Sequence, residues 1–115
     1  MPKIKLISYG VYKINNELAT VSFISGFRPF NEKIIEIDGK EYRIWDHWTS
    51  KPTAAFKNGL KEFHLKPRDS ILYLGIANGK TASFFSDIIG RNGLIYGVEI
   101  SDRPFRELIP TAEKR

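Results

Sequence analysis

Residues 71–81 read ILYLGIANGKT, and this stretch decides the predicted fold. Its first four residues form an apolar run that is typical of a strand buried on both faces of a parallel sheet. Gly75 and Gly79 allow the backbone to turn sharply and a ligand to approach without hindrance from a Cβ atom. Because ligands of open α/β sheets bind beyond the carboxyl ends of the strands, the loop that begins at Gly75 is the candidate site.

The segments on both sides of this stretch alternate between helix and strand. A helix that begins after Thr49 or Ser50, either of which could accept hydrogen bonds from its first turn, is predicted to run to about residue 62. A second helix follows the loop, and a second strand covers residues 94–100. We expect Pro110 to kink or stop the third helix. This order predicts a parallel α/β sheet with right-handed crossovers.

The first 47 residues show the alternation of apolar and polar side chains that indicates β-strands. Two turn pairs, Asn15-Asn16 and Asp38-Gly39, each lie between two strand-like segments and predict two hairpins. The four predicted strands cover residues 11–14, 18–24, 33–37 and 40–45. The sequence therefore predicts an antiparallel β domain over residues 1–47 and an α/β domain over residues 48–115.

The composition limits the classes of protein to consider. The chain has 115 residues, with 18 Lys and Arg against 13 Asp and Glu, and a net charge of +5. It has no cysteine and two histidines, so it holds no disulfide or thiolate metal site, and we expect no metal centre. We also expect no signal peptide, membrane span or membrane partner. The basic excess suits an anionic partner, but an ordinary solvated surface is an equal alternative.

An acidic residue, Glu99, follows the second parallel strand 24 residues after Gly75. A carboxylate at this place can bond both hydroxyls of an adenosyl ribose. A phosphate-binding loop needs four residues between its glycines, and only three separate Gly75 from Gly79. The pattern fits an S-adenosylmethionine site, but two alternatives stay open. The glycines could be simple turn residues, or the chain could bind a nucleotide through Gly79, Lys80 and Thr81.

Several segments of the sequence resemble fibrillarin, in its archaeal fibrillarin-like form, from about Gly10 to the end of the chain. They are YRIW at 42–45, SK at 50–51 followed by AA at 54–55, LYLGIANG at 72–79, SDIIG at 86–90 and GLIYGVE at 93–99. The resemblance implies a small N-terminal antiparallel β domain, followed by the first half of a Rossmann-like S-adenosylmethionine-dependent methyltransferase sheet.

The resemblance also implies an activity and its partners. The activity is methyl transfer from S-adenosylmethionine to ribose 2′-hydroxyls of ribosomal or transfer RNA, at sites chosen by a box C/D guide RNA. The implied partners are a Nop-domain scaffold protein and a kink-turn-binding ribosomal-type protein, and the implied location is the archaeal cytoplasm. The alternative is a non-catalytic, truncated or split subunit that acts as an assembly or RNA-binding module.

Carried over by the resemblance, the first catalytic lysine of the family is Lys51, whose ammonium would hold the target ribose or phosphate. The cofactor contacts of the family fall on the loop and on the end of the second strand, namely Gly75, Ala77, Asn78, Gly79, Lys80, Thr81, Glu99 and Ile100.

This sequence departs from the usual loop of the family, Gly-Ala-Ala-Ser-Gly-Thr-Thr. Ile76, Asn78 and Lys80 replace the first Ala, the Ser and the first Thr. Outside the loop, Thr49 and Pro52 stand where the family usually has Arg and Leu. These changes put the affinity for the cofactor in question more than the fold.

The resemblance implies a sheet of seven strands in the α/β domain, and this sequence supplies two of them. We therefore expect an unpaired strand edge, an uncovered apolar face, and no catalysis without a C-terminal half, which could be separately encoded.

Four further residues receive a structural interpretation from the sequence. We expect Trp45 and Trp48 to pack in a core or at a partner interface rather than to stack on an RNA base. His47 and His64 have no catalytic partner at a meaningful spacing, and we expect them to pack or to lie on the surface.

Overall fold

The computed structural model describes residues 3–28, 30–46, 50–60 and 63–114. Within these ranges the elements are β1 Ile4–Ser8, β2 Val11–Ile14, β3 Glu17–Val21, β4 Ile34–Ile37, β5 Lys40–Trp45, α1 Lys51–Lys57, β6 Ser70–Leu74, α2 Lys80–Ile89, β7 Leu94–Val98 and α3 Asp102–Lys114. Five strands form an antiparallel sheet in the order β1-β2-β3-β5-β4, and β6 pairs with β7 in parallel. No helix of the described residues is long and apolar enough to cross a membrane.

Both predicted hairpins are confirmed in the antiparallel sheet. Asn15 and Asp38 have φ angles of 56° and 51°, the left-handed backbone that asparagine and aspartate tolerate in turns. β1 is an additional edge strand whose first three residues are exposed, so no buried face marks it in the sequence. β3 ends at Val21, before the predicted residue 24, because the amide of Phe23 donates to Asp87 Oδ1 at 2.7 Å.

The parallel pairing of β6 and β7 is confirmed, with Leu72 opposite Tyr96 and Leu74 opposite Val98. Among the described residues β6 is not buried on both faces, and the uncovered apolar face expected for half of the sheet is confirmed. Leu72 and Leu74 are 65% and 72% exposed, because no element of the described chain covers that face of the pair. β7 ends at Val98, before the predicted residue 100.

The helices differ from prediction in three places. α1 ends at Lys57, where the amide of Leu60 donates to the carbonyl of Ala55 at 2.9 Å and closes the last turn well before residue 62. Ser50 precedes α1 as predicted, but its hydroxyl does not cap the helix, and Thr49 lies outside the described residues. Pro110 lies inside α3, which continues to Lys114.

The main core joins the antiparallel sheet to α2. Trp45 is 1% exposed and stacks on Phe84, with ring centroids 5.1 Å apart and planes 3° apart. Val11, Leu18 and Ile88 complete this cluster. The core interpretation of Trp45 is therefore confirmed, whereas His47 and Trp48 lie outside the described residues.

A buried charge cluster reinforces the same contact between sheet and helix. The guanidinium of Arg43, on β5, is fully buried and donates to Glu32 Oε2 at 2.6 and 2.8 Å. It also donates to Asp87 Oδ2 and to Ser83 Oγ on α2, both at 2.8 Å. Thr20, on β3, donates to the same Asp87 oxygen at 2.7 Å. The sheet is thus attached to α2 by charge-assisted hydrogen bonds.

The ionisation of Glu32 follows from this arrangement. Burial raises the pKa of its carboxyl, but hydrogen bonds from the amides of Glu32 and Phe30 and the charge of Arg43 outweigh burial and bring the pKa below its ordinary value of 4.5. Glu32 is therefore an anion at neutral pH and balances part of the buried positive charge.

We expect Arg43→Ala to lower the free energy of unfolding by about 3–5 kcal/mol, because the substitution leaves two carboxylates buried without their cation. Chemical denaturation followed by far-ultraviolet circular dichroism measures the change. Arg103→Ala is the matched control, since Arg103 is 93% exposed and lies 3.9 Å from Glu107, and it should leave stability nearly unchanged. Equal losses in the two variants would contradict a structural role for the Arg43 cluster.

Candidate cofactor site

The loop between β6 and α2 lies across the carboxyl end of β7. The amides of Gly75 and Ile76 both donate to the carbonyl of Val98, at 2.8 and 3.1 Å. Ala77 has a φ of 55°, a left-handed conformation that is uncommon for a residue with a Cβ atom. The loop is therefore held against the neighbouring strand, and the structure brings it next to Glu99 as the sequence predicts.

Both oxygens of the Glu99 carboxylate are fixed by backbone amides. Ala77 donates to Oε1 at 2.8 Å, and Ser101 donates to Oε2 at 3.1 Å. The hydrogen bonds from Ser101 and Ala77 lower the pKa of Glu99 below its ordinary value of 4.5. Glu99 is therefore a charged, oriented acceptor, and each oxygen keeps further lone-pair capacity for a ligand. The adjacent Ile100 is 94% exposed beside it.

The two loop glycines have different surroundings. Gly75 has a φ of 75° and no atom within 4 Å of the place a Cβ would take, so it leaves open space at the end of β6. At Gly79 a Cβ would lie 2.5 Å from Leu108 Cδ1 on α3. The glycine at position 79 is thus explained by the close approach of α3, whereas Gly75 keeps the loop accessible.

Two of the three departures from the usual family loop, Ile76 and Asn78, have structural explanations, whereas nothing in the described part of the structure explains Lys80. Ile76 is buried over Gly97, where a Cβ would lie 2.5 Å from its Cδ1 atom, so the larger side chain fits because β7 has a glycine beneath it. Asn78 Oδ1 accepts a hydrogen bond from the amide of Lys80 at 3.2 Å and so supports the first turn of α2.

Ser50, the residue before Lys51, connects the beginning of α1 to Thr81. Lys51 is exposed at the first residue of α1. The preceding Ser50 places its hydroxyl 2.8 Å from that of Thr81, in the first turn of α2, and accepts a hydrogen bond from Trp45 Nε1 at 2.9 Å. The structure therefore links the segment of the predicted catalytic lysine to the predicted cofactor loop. The only role that the sequence predicted for Ser50 was helix capping. Its position next to Lys51 was the one feature of the sequence that could have indicated a role in the site.

A groove of about 370 Å³ lies between α2, β7 and α3, but it does not include Glu99, Ala77 or Ile100. Its lining includes Ile76 and Gly79 of the loop together with residues of α2, β7 and α3, so the groove adjoins the candidate site from the side of α3. Among the described residues no group of three or more His, Cys, Asp and Glu side chains could hold a metal ion.

A family model described as Fibrillarin matches residues 3–115. The chain belongs to the fibrillarin family. It is 49% identical over 111 residues to the fibrillarin-like rRNA/tRNA 2′-O-methyltransferase of Pyrococcus furiosus, an alignment that covers 92% of this chain and 49% of that protein. The resemblance carried by the sequence segments is thereby confirmed.

Solved fibrillarin structures share the fold. The Aeropyrum pernix fibrillarin, crystallised with natively bound S-adenosyl-L-methionine, superposes with a TM-score of 0.88 at 41% identity, over 100% of this chain and 54% of that chain. A fibrillarin in a fibrillarin/Nop5p complex gives a TM-score of 0.78 at 34% identity, over 96% of this chain and 49% of that chain. The chain therefore spans about half the length of the relatives it matches, and the predicted fold class is confirmed.

We expect the Glu99 carboxylate to titrate with a pKa below its ordinary value of 4.5. The proton NMR shifts of the Ala77 and Ser101 amides should change together as the pH falls through the lowered pKa, because both amides donate to that carboxylate. The stability that these bonds contribute is present above the unfolded-state pKa and is lost as the pH falls through the folded-state pKa. In Glu99→Gln both shifts should become independent of pH in this range. A midpoint above 4.5 would contradict the assignment.

Proposed function

We propose that this chain is the N-terminal half of an RNA 2′-O-methyltransferase that uses S-adenosylmethionine and acts on ribosomal or transfer RNA. The observation that carries the proposal is the Glu99 carboxylate, held by the Ala77 amide at 2.8 Å beside the carboxyl end of β6. A carboxylate fixed at this point of a parallel sheet suits the two hydroxyls of an adenosyl ribose. The family includes a protein with natively bound S-adenosyl-L-methionine and proteins named as rRNA/tRNA 2′-O-methyltransferases.

The hydrogen bonds of the loop favour this cofactor over a nucleoside triphosphate. A phosphate-binding loop presents free backbone amides to the phosphates. In this loop the amides of Gly75 and Ile76 donate to Val98, and that of Gly79 donates to the carbonyl of Ile76 at 3.1 Å. The amides of Ala77 and Lys80 donate to side chains, as described above. The proposal is therefore a cofactor held by a carboxylate and open glycine surface, without a phosphate cradle.

Each predicted site residue has a role in the proposal. Gly75 and Ala77 form the surface of the loop, and Asn78, Gly79, Lys80 and Thr81 shape its entry into α2. Glu99 would accept hydrogen bonds from the ribose, and the exposed Ile100 would contact the adenine. S-adenosylmethionine supplies an electrophilic methyl group, and the ammonium of Lys51 would hold the target ribose or phosphate and favour the developing alkoxide.

The partners in this proposal are RNA and proteins. The net charge of +5 suits a box C/D guide RNA with its rRNA or tRNA substrate. The fibrillarin/Nop5p complex supports a Nop-domain scaffold, and the proposal adds a kink-turn-binding protein to the same particle. The archaeal relatives support a cytoplasmic site of action.

The proposal retains the two domains, residues 1–47 and 48–115, and adds a C-terminal half. The break between β5 and α1 supports the boundary, although the Arg43 cluster makes the two parts depend on each other. The exposed face of Leu72, Leu74 and Tyr96 supports completion of the sheet by further strands and helices, in the same chain or from a separate one. That exposed face also supports the alternative, a non-catalytic assembly module.

Calorimetry of this chain, mixed with the C-terminal half of the Pyrococcus furiosus relative, tests the cofactor. We expect S-adenosylmethionine to bind and ATP not to bind, and we expect Glu99→Ala to weaken the affinity at least about tenfold, since it removes charge-assisted hydrogen bonds to the ribose. Glu107→Ala, an exposed acidic residue of α3, is the matched control and should bind normally. Binding of ATP, or equal affinity in Glu99→Ala and the parent chain, would refute the proposal.

Transfer of a labelled methyl group to a guided RNA tests the lysine. We expect Lys51→Ala to lower the rate at saturating S-adenosylmethionine by about 100-fold, as for the loss of one group that stabilises a developing oxyanion, with little change in the affinity for S-adenosylmethionine. The control is Lys66→Ala, an exposed lysine outside the site. An undiminished rate in Lys51→Ala would remove Lys51 from the catalytic group, and transfer that never occurs in any mixture would favour the assembly module.

A further inference from the structure

The hydroxyl of Ser50 lies at the centre of a short hydrogen-bond chain that crosses three elements. Trp45, at the end of β5, donates its indole N–H to Ser50 Oγ at 2.9 Å, and Ser50 Oγ lies 2.8 Å from Thr81 Oγ1 on α2. Trp45 and Ser50 are both buried. These three residues, Trp45, Ser50 and Thr81, are called the hydroxyl relay below.

Donor chemistry fixes the direction of the first bond of the relay. An indole N–H can only donate, so Ser50 Oγ is the acceptor of the first bond. A serine oxygen has a second lone pair, so either hydroxyl can donate in the 2.8 Å bond between Ser50 Oγ and Thr81 Oγ1. In both directions the relay fixes the position of the Thr81 oxygen at the beginning of α2, where the loop meets the proposed cofactor.

Ser50 makes these bonds in place of the usual bonds of a helix cap. A serine before a helix normally accepts hydrogen bonds from the amides of the first turn, but Ser50 makes no such bond. Pro52 removes one of the amides that it could have accepted from. The carbonyl of Ser50 is held separately, by Thr53 Oγ1 at 3.0 Å. Backbone and side chain of Ser50 are thus both fixed, and Lys51 is the next residue.

We propose that Ser50 is a positioning residue that sets Lys51 and the Thr81 hydroxyl relative to each other, so that the lysine segment and the cofactor loop are coupled. This inference rests on the proposed function for the roles of Lys51 and the loop. The coupling itself is a property of the described contacts and has a readout that needs no cofactor.

The first test uses the chain alone and two-dimensional NMR. Thr81→Val removes the hydroxyl at the far end of the relay and should shift both the Trp45 indole resonance and the Lys51 backbone amide. Thr81→Ser, which keeps the hydroxyl, should restore both positions. Ser22→Ala is the matched control, because it also removes a half-buried hydroxyl, one that donates to the carbonyl of Ile24 at 2.9 Å, but lies outside the relay. Unmoved Trp45 and Lys51 resonances in Thr81→Val would overturn the coupling whether or not the chain binds a cofactor.

The second test uses the chain mixed with the C-terminal half described above. Ser50→Ala should weaken S-adenosylmethionine about fivefold to tenfold, as expected for the loss of one oriented hydrogen bond, and should lower the rate at saturating S-adenosylmethionine as well. Ser22→Ala should leave both the affinity and the rate unchanged. If Ser50→Ala and Ser22→Ala lose affinity and rate equally for equal loss of melting temperature, Ser50 is only structural and the proposal fails. Failure of the parent mixture to bind S-adenosylmethionine would refute the proposed function and not the NMR coupling.

Discussion

The buried guanidinium of Arg43 determines how the antiparallel sheet sits on helix α2. A buried cation must be surrounded by acceptors because it has no water to bind. Arg43 has acceptors on both sides of the contact: Glu32 lies in the segment that connects β3 to β4, and Asp87 lies on α2. The same guanidinium lies 4.2 Å from the centre of the Phe84 ring, so polar and apolar parts of the contact share one geometry. The position of α2 relative to the sheet is fixed as a result.

The candidate site depends on that position. α2 begins at Lys80 immediately after the loop, and Thr81 in its first turn reaches Ser50 at the beginning of α1. On the other side, the loop is held by Val98 and Glu99 at the end of β7. The loop is therefore held by β7 on one side and continues into α2, which contacts both the antiparallel sheet and the beginning of α1. None of the five antiparallel strands supplies a predicted cofactor contact. The N-terminal sheet serves the site by fixing α2.

The parallel pair of β6 and β7 has two different faces. On the face of β6 and β7 that is turned to α2 and α3, Ile76 packs closely over Gly97 beside the groove. The other face exposes Leu72, Leu74 and Tyr96. An exposed apolar surface of this kind is uncommon on a soluble monomer. The loop and Glu99 do not depend on that exposed face, since their hydrogen bonds use residues of the loop and of the end of β7.

Local patterns in the sequence determined the hairpins at Asn15 and Asp38, the parallel strands, and the placement of a glycine loop and Glu99 at one sheet edge. Turn chemistry, side-chain periodicity and the family segments are all readable from neighbouring residues. Only the tertiary structure decided the partners of Arg43, the diversion of the Ser50 hydroxyl to Thr81 and the packing of Leu108 against Gly79. These contacts join residues 44, 31 and 29 positions apart, respectively, for Arg43–Asp87, Ser50–Thr81 and Gly79–Leu108. A hydrogen-bonding side chain has several possible partners until the fold brings one of them within reach, so sequence spacing alone does not select it.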